Sequence, residues 1–256
     1  MSILQRFQMH GSVAIVTGSG RGIGRAIALA YAEAGADVVC SARSLDEVQA
    51  VAEEVRGLGR RALAVACDVN DAEQRHALVR QSVEQMGRIT HLVNNVGGGG
   101  PNDPLAMSPE QFAQVLNFNV ATSYAFCQLC VPLMREAGGG NIINISSVAA
   151  RYAQRHFSAY GTAKAALSHL TRLLAQDFAP QVRVNAVAPG PTLTEALNGV
   201  MPSAMRQVME SNTPLKCLGP PQDIAAAALY LASPASAWVT GKVIDVDGGA
   251  DSSVWP

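Results

Sequence analysis

A tyrosine, a lysine and a serine have the types and the spacing that proton transfer at an oxygen atom requires. Tyr160 and Lys164 are four residues apart in a stretch that we expect to be helical, so their side chains lie on one face, one turn apart. Ser147 follows an apolar run and precedes Tyr160 by thirteen residues. A free tyrosine has a pKa of about 10, too high for efficient transfer near neutral pH, and a neighbouring ammonium favours the phenolate. Ser147 could donate a hydrogen bond to a substrate oxygen.

A glycine-rich loop is the second feature that could carry chemistry. Gly18, Gly22 and Gly24 form the pattern GxxxGxG directly after the apolar run 13–17 and at the start of a predicted helix. Glycines allow a tight turn and close approach of the backbone to a pyrophosphate, and the helix N-terminus supplies N–H donors and a positive dipole. The loop therefore predicts a dinucleotide site, although the motif alone is also compatible with a glycine-rich turn that binds nothing.

Seven apolar runs alternate with helical stretches and would position these groups. Each run is nearly continuous, which is typical of parallel strands that are buried on both faces. The pattern predicts one α/β domain over residues 1–256, a doubly wound Rossmann fold with a seven-stranded parallel sheet and helices on both faces. The runs are 13–17, 37–41, 62–66, 91–94, 141–145, 182–187 and 242–246.

Further segments connect the chain to a known family. They are Asn94-Asn95-Val96-Gly97, Ser147 with Tyr160-x-x-x-Lys164, Pro189-Gly190 and Val246-Asp247-Gly248-Gly249. With the glycine loop, they make the chain resemble the short-chain dehydrogenase/reductases of the classical type over residues 11–249. Val96 departs from the family, which usually has alanine there. The resemblance implies an oxidoreductase that transfers a hydride between a nicotinamide cofactor and a ketone or secondary alcohol.

The resemblance also implies four catalytic residues: Asn119, Ser147, Tyr160 and Lys164. Tyr160 would exchange the proton, and Ser147 would hydrogen-bond the substrate oxygen. Lys164 would favour the phenolate and hold the nicotinamide ribose. Asn119 matches the family position that holds a water beside the lysine for proton relay.

Two neighbours compete for these roles. Asn117 lies two residues before Asn119, and Ser146 immediately precedes Ser147. A remote alternative is a non-catalytic sensor or scaffold that binds NADP(H). Relatives of that kind usually lose the tyrosine or the lysine, and this chain keeps both.

The glycine loop and the resemblance together imply a set of cofactor contacts. They are Gly18, Ser19, Gly20, Arg21, Gly22, Ile23, Gly24, Arg43, Ser44, Asp68, Val69, Asn95, Val96, Gly97, Tyr160, Lys164, Pro189, Gly190, Thr192 and Thr194. Thr192 and Thr194 would lie along the nicotinamide carboxamide, and Asp68 and Val69 along the adenine.

The end of the second strand indicates which nicotinamide cofactor is bound. An acidic residue there accepts hydrogen bonds from a ribose 2′-hydroxyl and repels a 2′-phosphate. This chain has Ala42 at that position, followed by Arg43, and has Arg21 in the glycine loop. Because arginine binds phosphate through a planar fork of donors, we expect NADP(H); the alternative is that both arginines are solvated surface residues.

The substrate is the least constrained property. The segments 94–101, 193–197, 213–224 and 236–241 resemble the bacterial 7α-hydroxysteroid dehydrogenases, although a known member of that group has an acidic, NAD-type second strand. A second similar group, the 3-oxoacyl-[acyl-carrier-protein] reductases, often has basic residues where this chain has Gly138 and Gln176. We expect a hydrophobic or steroid-like ketone or alcohol as substrate, with the 3-oxoacyl-[acyl-carrier-protein] reductase as the alternative.

The segment following Pro189-Gly190 should cover the substrate. We expect a lid at about residues 193–215, which contains Met201, Met205 and Met209 at helical spacing. Adaptable methionines suit either packing or the binding of a greasy substrate.

Composition bounds the partners and the compartment. A net charge of −1 argues against nucleic-acid binding, which usually shows a basic excess. The sequence shows neither a signal-peptide core nor a run of about 18 apolar residues, and five cysteines are not a disulfide framework. We therefore expect a cytoplasmic protein without membrane partners. Cys127 and Cys130 form a CxxC in an apolar stretch, which we interpret as packing, and no metal site is expected.

The chain is poor in charge, with 15% Asp, Glu, Lys and Arg against about 25% in typical domains. Residues 112–134 contain no charged residue at all. A helix that is apolar on nearly all sides cannot face water over much of its surface. In the resembled family this helix and the Tyr160 helix pair with their copies on other subunits, so we expect a homotetramer.

Overall fold

The computed structural model describes residues 2–199 and 201–255, which form a seven-stranded parallel sheet covered by helices on both faces. The strands are β1 Val13–Thr17, β2 Asp37–Ala42, β3 Ala62–Ala66, β4 His91–Asn94, β5 Gly140–Ile145, β6 Val182–Pro189 and β7 Val243–Val246. Their order in the sheet is β3-β2-β1-β4-β5-β6-β7. The predicted doubly wound Rossmann fold is confirmed.

Helices connect the strands and provide both covering layers. They are α1 Gly22–Glu33, α2 Leu45–Gly57, α3 Ala72–Met86, α4 Pro109–Leu116, α5 Thr122–Glu136, α6 Ser158–Phe178, α7 Glu195–Asn198, α8 Ser203–Asn212 and α9 Pro221–Ala232. One core packs α1, α2 and α9 against the sheet, and the other packs α3, α5 and α6 against its opposite face. Strand side chains therefore alternate between two dry layers, which explains why the strands are apolar throughout.

The strand order reverses between β1 and β4, and this defines where a ligand can enter. Chain connections leave the carboxyl ends of these two neighbouring strands in opposite directions, which opens a crevice between them. Thr17 ends β1 and Asn94 ends β4 at the same edge of the sheet. The glycine loop and the Asn95-Val96-Gly97 segment begin at these two ends and thus face one another.

The stretch after β4 differs from the single helix, 109–134, that its sequence pattern predicts. Helix α4 ends at Leu116, a π-helical turn covers Asn117–Ala121, and α5 continues from Thr122. A π turn adds a residue to the helical repeat and often occurs at functional sites. Asn119 lies in the middle of this turn and is fully buried.

Two searches of the described residues concern membranes and metals. None of the helices described combines the length and the apolar character that crossing a membrane requires. Within residues 2–199 and 201–255, no group of three or more His, Cys, Asp or Glu side chains could hold a metal ion.

Candidate active site

The glycine loop is held open by the segment that follows β4. Gly18 and Gly22 have φ angles of +66° and +56°, which L-residues with side chains rarely adopt. The side-chain amide of Asn95 donates hydrogen bonds to the carbonyl oxygens of Thr17 and Gly18, at 2.9 and 3.2 Å. A Cβ on Gly18 would lie 2.8 Å from the same amide nitrogen. The loop therefore requires glycine at this position.

A cleft of about 600 Å³ runs along the carboxyl edge of the sheet from the end of β3 to α7. This volume lies within the range of small-molecule and cofactor sites, roughly 300–1,000 Å³. Every predicted cofactor residue except Ser19 lines the cleft, and so does Ser147. Its size, its glycine loop and its helix N-terminus fit a dinucleotide.

Ser19 is turned away from the cleft. Its side chain is fully buried, and its hydroxyl accepts a hydrogen bond from the backbone N–H of Ser41 at 2.8 Å. Its own N–H donates to the carbonyl of Ser41 at 3.1 Å. Both groups therefore attach the glycine loop to β2, and the prediction that Ser19 contacts the cofactor does not agree with the position of its side chain.

The structure distinguishes Ser147 from its neighbour Ser146. The Ser146 hydroxyl is buried and lies 3.1 Å from the carbonyl oxygen of Lys164 and 2.6 Å from the Ser168 hydroxyl. The Ser147 hydroxyl caps a short 3₁₀ turn by accepting from the N–H of Ala149 at 3.2 Å. Its own proton is thus available for an oxygen in the cleft, and the geometry favours Ser147 as the donor.

Tyr160 and Lys164 lie on the cleft side of α6, as their spacing predicts. The Lys164 nitrogen is 5.8 Å from the centre of the Tyr160 ring and donates to the carbonyl oxygen of Ile145 at 2.8 Å. Burial lowers the pKa of Lys164 to about 8. Burial also raises the pKa of Tyr160, although the nearby Ser147 hydroxyl acts in the opposite direction.

This direction has a chemical consequence that the sequence did not predict. From the ammonium alone we expect a lowered phenol pKa, yet burial raises the pKa of Tyr160. A phenol whose pKa is at or above its usual value of about 10 is protonated at neutral pH. A protonated phenol is the form that donates a proton to a carbonyl oxygen.

The side chain of Asn119 organises the backbone beside Lys164. Its oxygen accepts from the N–H of Gly98 at 2.9 Å, and its nitrogen donates to the carbonyls of Gly98 and Val115. A Cβ on Gly97 would lie 2.7 Å from the Asn119 oxygen and 2.8 Å from the Lys164 nitrogen. Asn117, the competing residue, is exposed to solvent. The π turn thus brings Asn119, and not Asn117, to the glycine run next to the lysine.

Several residues that the sequence patterns did not single out also line the cleft. They include Glu47, Phe118, Glu195 and Leu197. Glu47 follows Ser44, the N-cap of α2, by three residues, a spacing that marks the first turn of a helix. Its carboxylate lines the same cleft as Arg21 and Arg43. From the residue at the end of the second strand, Ala42, we expect no carboxylate there.

The segment that we predict as a lid, 193–215, contains α7 and α8, and its methionines pack. Met209 is fully buried and forms a small core with Leu218, Ala250 and Val254. Leu193, Met201, Met205 and Trp255 are partly buried against this core. At the start of this segment, Thr194 caps α7 and its methyl group lies 3.2 Å from the position a Cβ on Gly22 would take. The segment thus begins next to the glycine loop.

The sheet is parallel and doubly wound, and the glycine loop lies at its switch point. Together with the Ser–Tyr–Lys group in the adjoining cleft, this arrangement defines a nicotinamide-dependent oxidoreductase. Residues 18–251 match the family model described as "Enoyl-(Acyl carrier protein) reductase". The chain belongs to the classical short-chain dehydrogenase/reductase family.

Curated relatives are similar over nearly the whole chain. An uncharacterized oxidoreductase of Mycobacterium tuberculosis is 53% identical over 249 residues, which cover 96% of this chain and 95% of the relative. The 7α-hydroxysteroid dehydrogenase of Escherichia coli K12 is 42% identical, covering 94% and 95%. A 3-oxoacyl-[acyl-carrier-protein] reductase of Thermotoga maritima is 33% identical, covering 94% and 98%.

Solved structures show the same fold. A 7α-hydroxysteroid dehydrogenase complexed with NADH and 7-oxo glycochenodeoxycholic acid has a TM-score of 0.94 at 41% identity, with 98% of each chain covered. A gluconate 5-dehydrogenase of Burkholderia cenocepacia in complex with NADP and tartrate has a TM-score of 0.90 at 32% identity, covering 97% and 98%. Neighbours of this chain therefore include one with NADH and one with NADP.

Proposed function

We propose that this chain is an NADPH-dependent reductase of hydrophobic, steroid-like ketones, acting reversibly on the corresponding secondary alcohols. The observation that carries the proposal is that Ser147, Tyr160 and Lys164 all line the cleft that also contains the glycine loop. The net reaction is the conversion of a ketone, NADPH and a proton to an alcohol and NADP⁺.

The chain's own groups supply the proton and stabilise the reacting oxygen. When bound, the reduced cofactor supplies the hydride. Ser147 donates a hydrogen bond to the carbonyl oxygen, and Tyr160 transfers its phenolic proton to that oxygen as negative charge develops. The Lys164 ammonium stabilises the phenolate left behind, and a water chain at Asn119 returns the proton to the site.

The cofactor form is proposed from the charges at the adenosine end. Arg21 and Arg43 are exposed and line the cleft there. Two guanidinium groups can bind a 2′-phosphate through paired hydrogen bonds. Because the structural neighbours include an NADH complex and an NADP complex, the NADPH proposal depends on these two side chains.

The substrate class is proposed from the lid and from the relatives. The cleft lining includes the apolar side chains of Phe118 and of Leu197, which lies on α7, and such side chains favour an apolar skeleton. The 42% identity to a 7α-hydroxysteroid dehydrogenase points the same way. A 3-oxoacyl-[acyl-carrier-protein] reductase is the second candidate, supported by the 33% identical relative, but neutral Gly138 and Gln176 give an acidic carrier no charge to bind.

A panel of ketones assayed with NADPH tests the proposal. It should include 7-oxo bile acids, 3-oxoacyl thioesters and small aryl ketones, each with NADH in parallel. We expect the highest kcat/KM for the bile acids with NADPH. Higher kcat/KM for 3-oxoacyl thioesters would favour the second candidate, no turnover of any ketone would favour the non-catalytic alternative, and equal or better use of NADH would refute the NADPH preference.

We propose further that the chain works as a homotetramer of single-domain subunits in the cytoplasm, each with its lid at about residues 193–215. From its N-cap Ala121 to Pro132, the exposed positions of α5 are Ala121, Tyr124, Gln128 and Pro132, which are all uncharged. Trp238, just before β7, is fully exposed in the isolated chain, so a second interface beside β7 would cover it. All five cysteines are free, in keeping with a reducing compartment.

A further inference from the structure

The adenosine end of the cleft contains a carboxylate at a point where three elements meet. A Cβ on Gly20 would lie 2.7 Å from Oε2 of Glu47, 2.8 Å from Cβ of Glu47 and 3.6 Å from Cβ of Ala42. The glycine loop, the first turn of α2 and the end of β2 therefore touch at Gly20. Glu47 lies at this junction, on the wall of the cleft.

The backbone holds Glu47 in place. Ser44 caps α2 and its hydroxyl accepts from the N–H of Glu47 at 3.4 Å. Because the Glu47 Cβ itself packs on Gly20, the carboxylate stays within the length of its side chain from the glycine loop in every rotamer. A larger residue at Gly20 would displace it, which gives the glycine a role besides backbone approach.

The charge of Glu47 is not neutralised by a neighbouring side chain. Within residues 2–199 and 201–255, neither Glu47 nor Arg21 nor Arg43 takes part in an ion pair, whereas Glu54 pairs with Arg25 and Glu53 with Arg56. Two positive charges, from Arg21 and Arg43, and two negative charges, from Glu47 and Asp68, thus line the same end of the cleft. Of the two carboxylates, Glu47 is the one that packs on the glycine loop.

We infer that Glu47 is a specificity-determining residue that weakens the binding of a 2′-phosphate and so narrows the preference for NADPH over NADH. This inference rests on the proposed cofactor function. A phosphate monoester carries about −1.5 to −2 charges at pH 7, so the carboxylate repels it, while the 2′-hydroxyl of NADH is neutral. Sequence reasoning misses Glu47 because it lies five residues beyond Ala42, on the next helix.

The test compares Glu47→Gln with the unchanged chain by titrating NADPH and NADH and measuring each Kd from cofactor fluorescence. We expect the Kd for NADPH to fall roughly 3- to 10-fold, the size of one like-charge interaction in a partly solvated site, and the Kd for NADH to change less than about 2-fold. The gain should shrink in about 0.5 M NaCl, because salt screens exposed charges.

Asp46→Asn is the matched control. Asp46 lies in the same first turn of α2, is exposed, and does not line the cleft. The Asp46→Asn substitution therefore removes the same charge and the same favourable interaction with the helix dipole as Glu47→Gln. We expect both Kd values to stay within about 2-fold in this variant. A gain equal to that of Glu47→Gln would show a general charge effect and overturn the inference.

Two further results would overturn it. Weaker NADH binding in Glu47→Gln with unchanged NADPH binding would show that the carboxylate accepts a hydrogen bond from the ribose. Unchanged binding of both cofactors would show that Glu47 does not contact the adenosine end. The inference concerns the change in the ratio of the two Kd values, so it is tested even if the unchanged chain prefers NADH and the proposed cofactor is wrong.

Discussion

Gly99 lies against the ring of Tyr160, so that a Cβ on Gly99 would be only 2.8 Å from Cδ2 of the tyrosine. On another side the ring of Phe157 meets the same tyrosine edge-on, with centroids 6.3 Å apart and an interplanar angle of 67°. The Tyr160 phenol, which we propose as the proton donor, thus packs against the backbone at Gly99 and the ring of Phe157. Gly99 therefore positions this side chain.

Replacement of Gly99 by alanine should displace Tyr160. We expect kcat with NADPH and a ketone to fall roughly 10- to 100-fold, since about 1 Å of misplacement can cost that much, while the Kd for NADPH changes little. Gly100→Ala is the control, because a Cβ there would meet no atom within 4 Å. Equal activity of the two variants would contradict the positioning role.

Removal of the phenolic hydroxyl should abolish proton donation. For Tyr160→Phe we expect kcat to fall roughly 10²- to 10⁴-fold, the usual contribution of a general acid, because the ring still packs against Phe157 but has no proton to give. NADPH binding should remain measurable by cofactor fluorescence. Tyr124→Phe is the control, because Tyr124 is exposed on α5, and this variant should keep its activity. If Tyr160→Phe retained most of its activity, Tyr160 would be excluded as the acid.

Cofactor binding should depend on pH through Lys164. Burial places the pKa of this ammonium at about 8, so the side chain loses its charge as pH rises through that value. If the charged form holds the ribose, the Kd for NADPH increases above pH 8 and is constant from pH 6 to 7.5. Lys164→Arg keeps its charge at all these values and should show no such increase. A flat profile for the unchanged chain would remove the lysine from cofactor binding.

The sequence predicts the strands and the cleft well because both depend on local patterns. Continuous apolar runs mark buried strands, and β1, β3 and β4 have the predicted bounds. The π turn at Asn119 was not predictable, since the helical period of 109–134 continues through it. Ser19 is buried against β2, and Glu47 packs on Gly20. Both positions depend on how β2 and α2 pack against the loop, which residue spacing does not encode.

His91 should make stability depend on pH. This partly buried histidine at the start of β4 lies 3.2 Å from the carbonyl oxygen of Ala232, and burial lowers its pKa to about 4. In the unfolded chain the ring takes up its proton near pH 6.5. Between these values the unfolded state binds more protons, so the free energy of unfolding should fall as pH decreases from 6.5 to 4, by on the order of 2 kcal/mol.

Urea unfolding at several pH values measures this effect. His91→Gln keeps a polar side chain that does not titrate, so the decrease between pH 6.5 and 4 should be smaller in this variant. His76→Gln removes a histidine that is exposed on α3 and should follow the unchanged chain. Identical pH profiles for all three proteins would show that His91 does not account for the dependence.

The charge-poor helices should hold the subunits together. Leu173 on α6 is 51% exposed and Tyr124 on α5 is 42% exposed in the isolated chain. Exposed apolar side chains on helices that are poor in charge are typical of surfaces that a partner covers. We expect light scattering to give the mass of a tetramer and Leu173→Asp to give smaller species, because the new carboxylate would be buried without a partner. Leu58→Asp, at an exposed leucine at the end of α2, should remain tetrameric. A stable monomer at micromolar concentration would refute the shared-helix interface.

Because α6 also carries Tyr160 and Lys164, dissociation of the subunits should lower kcat. We therefore expect a lower kcat for Leu173→Asp and an unchanged kcat for Leu58→Asp.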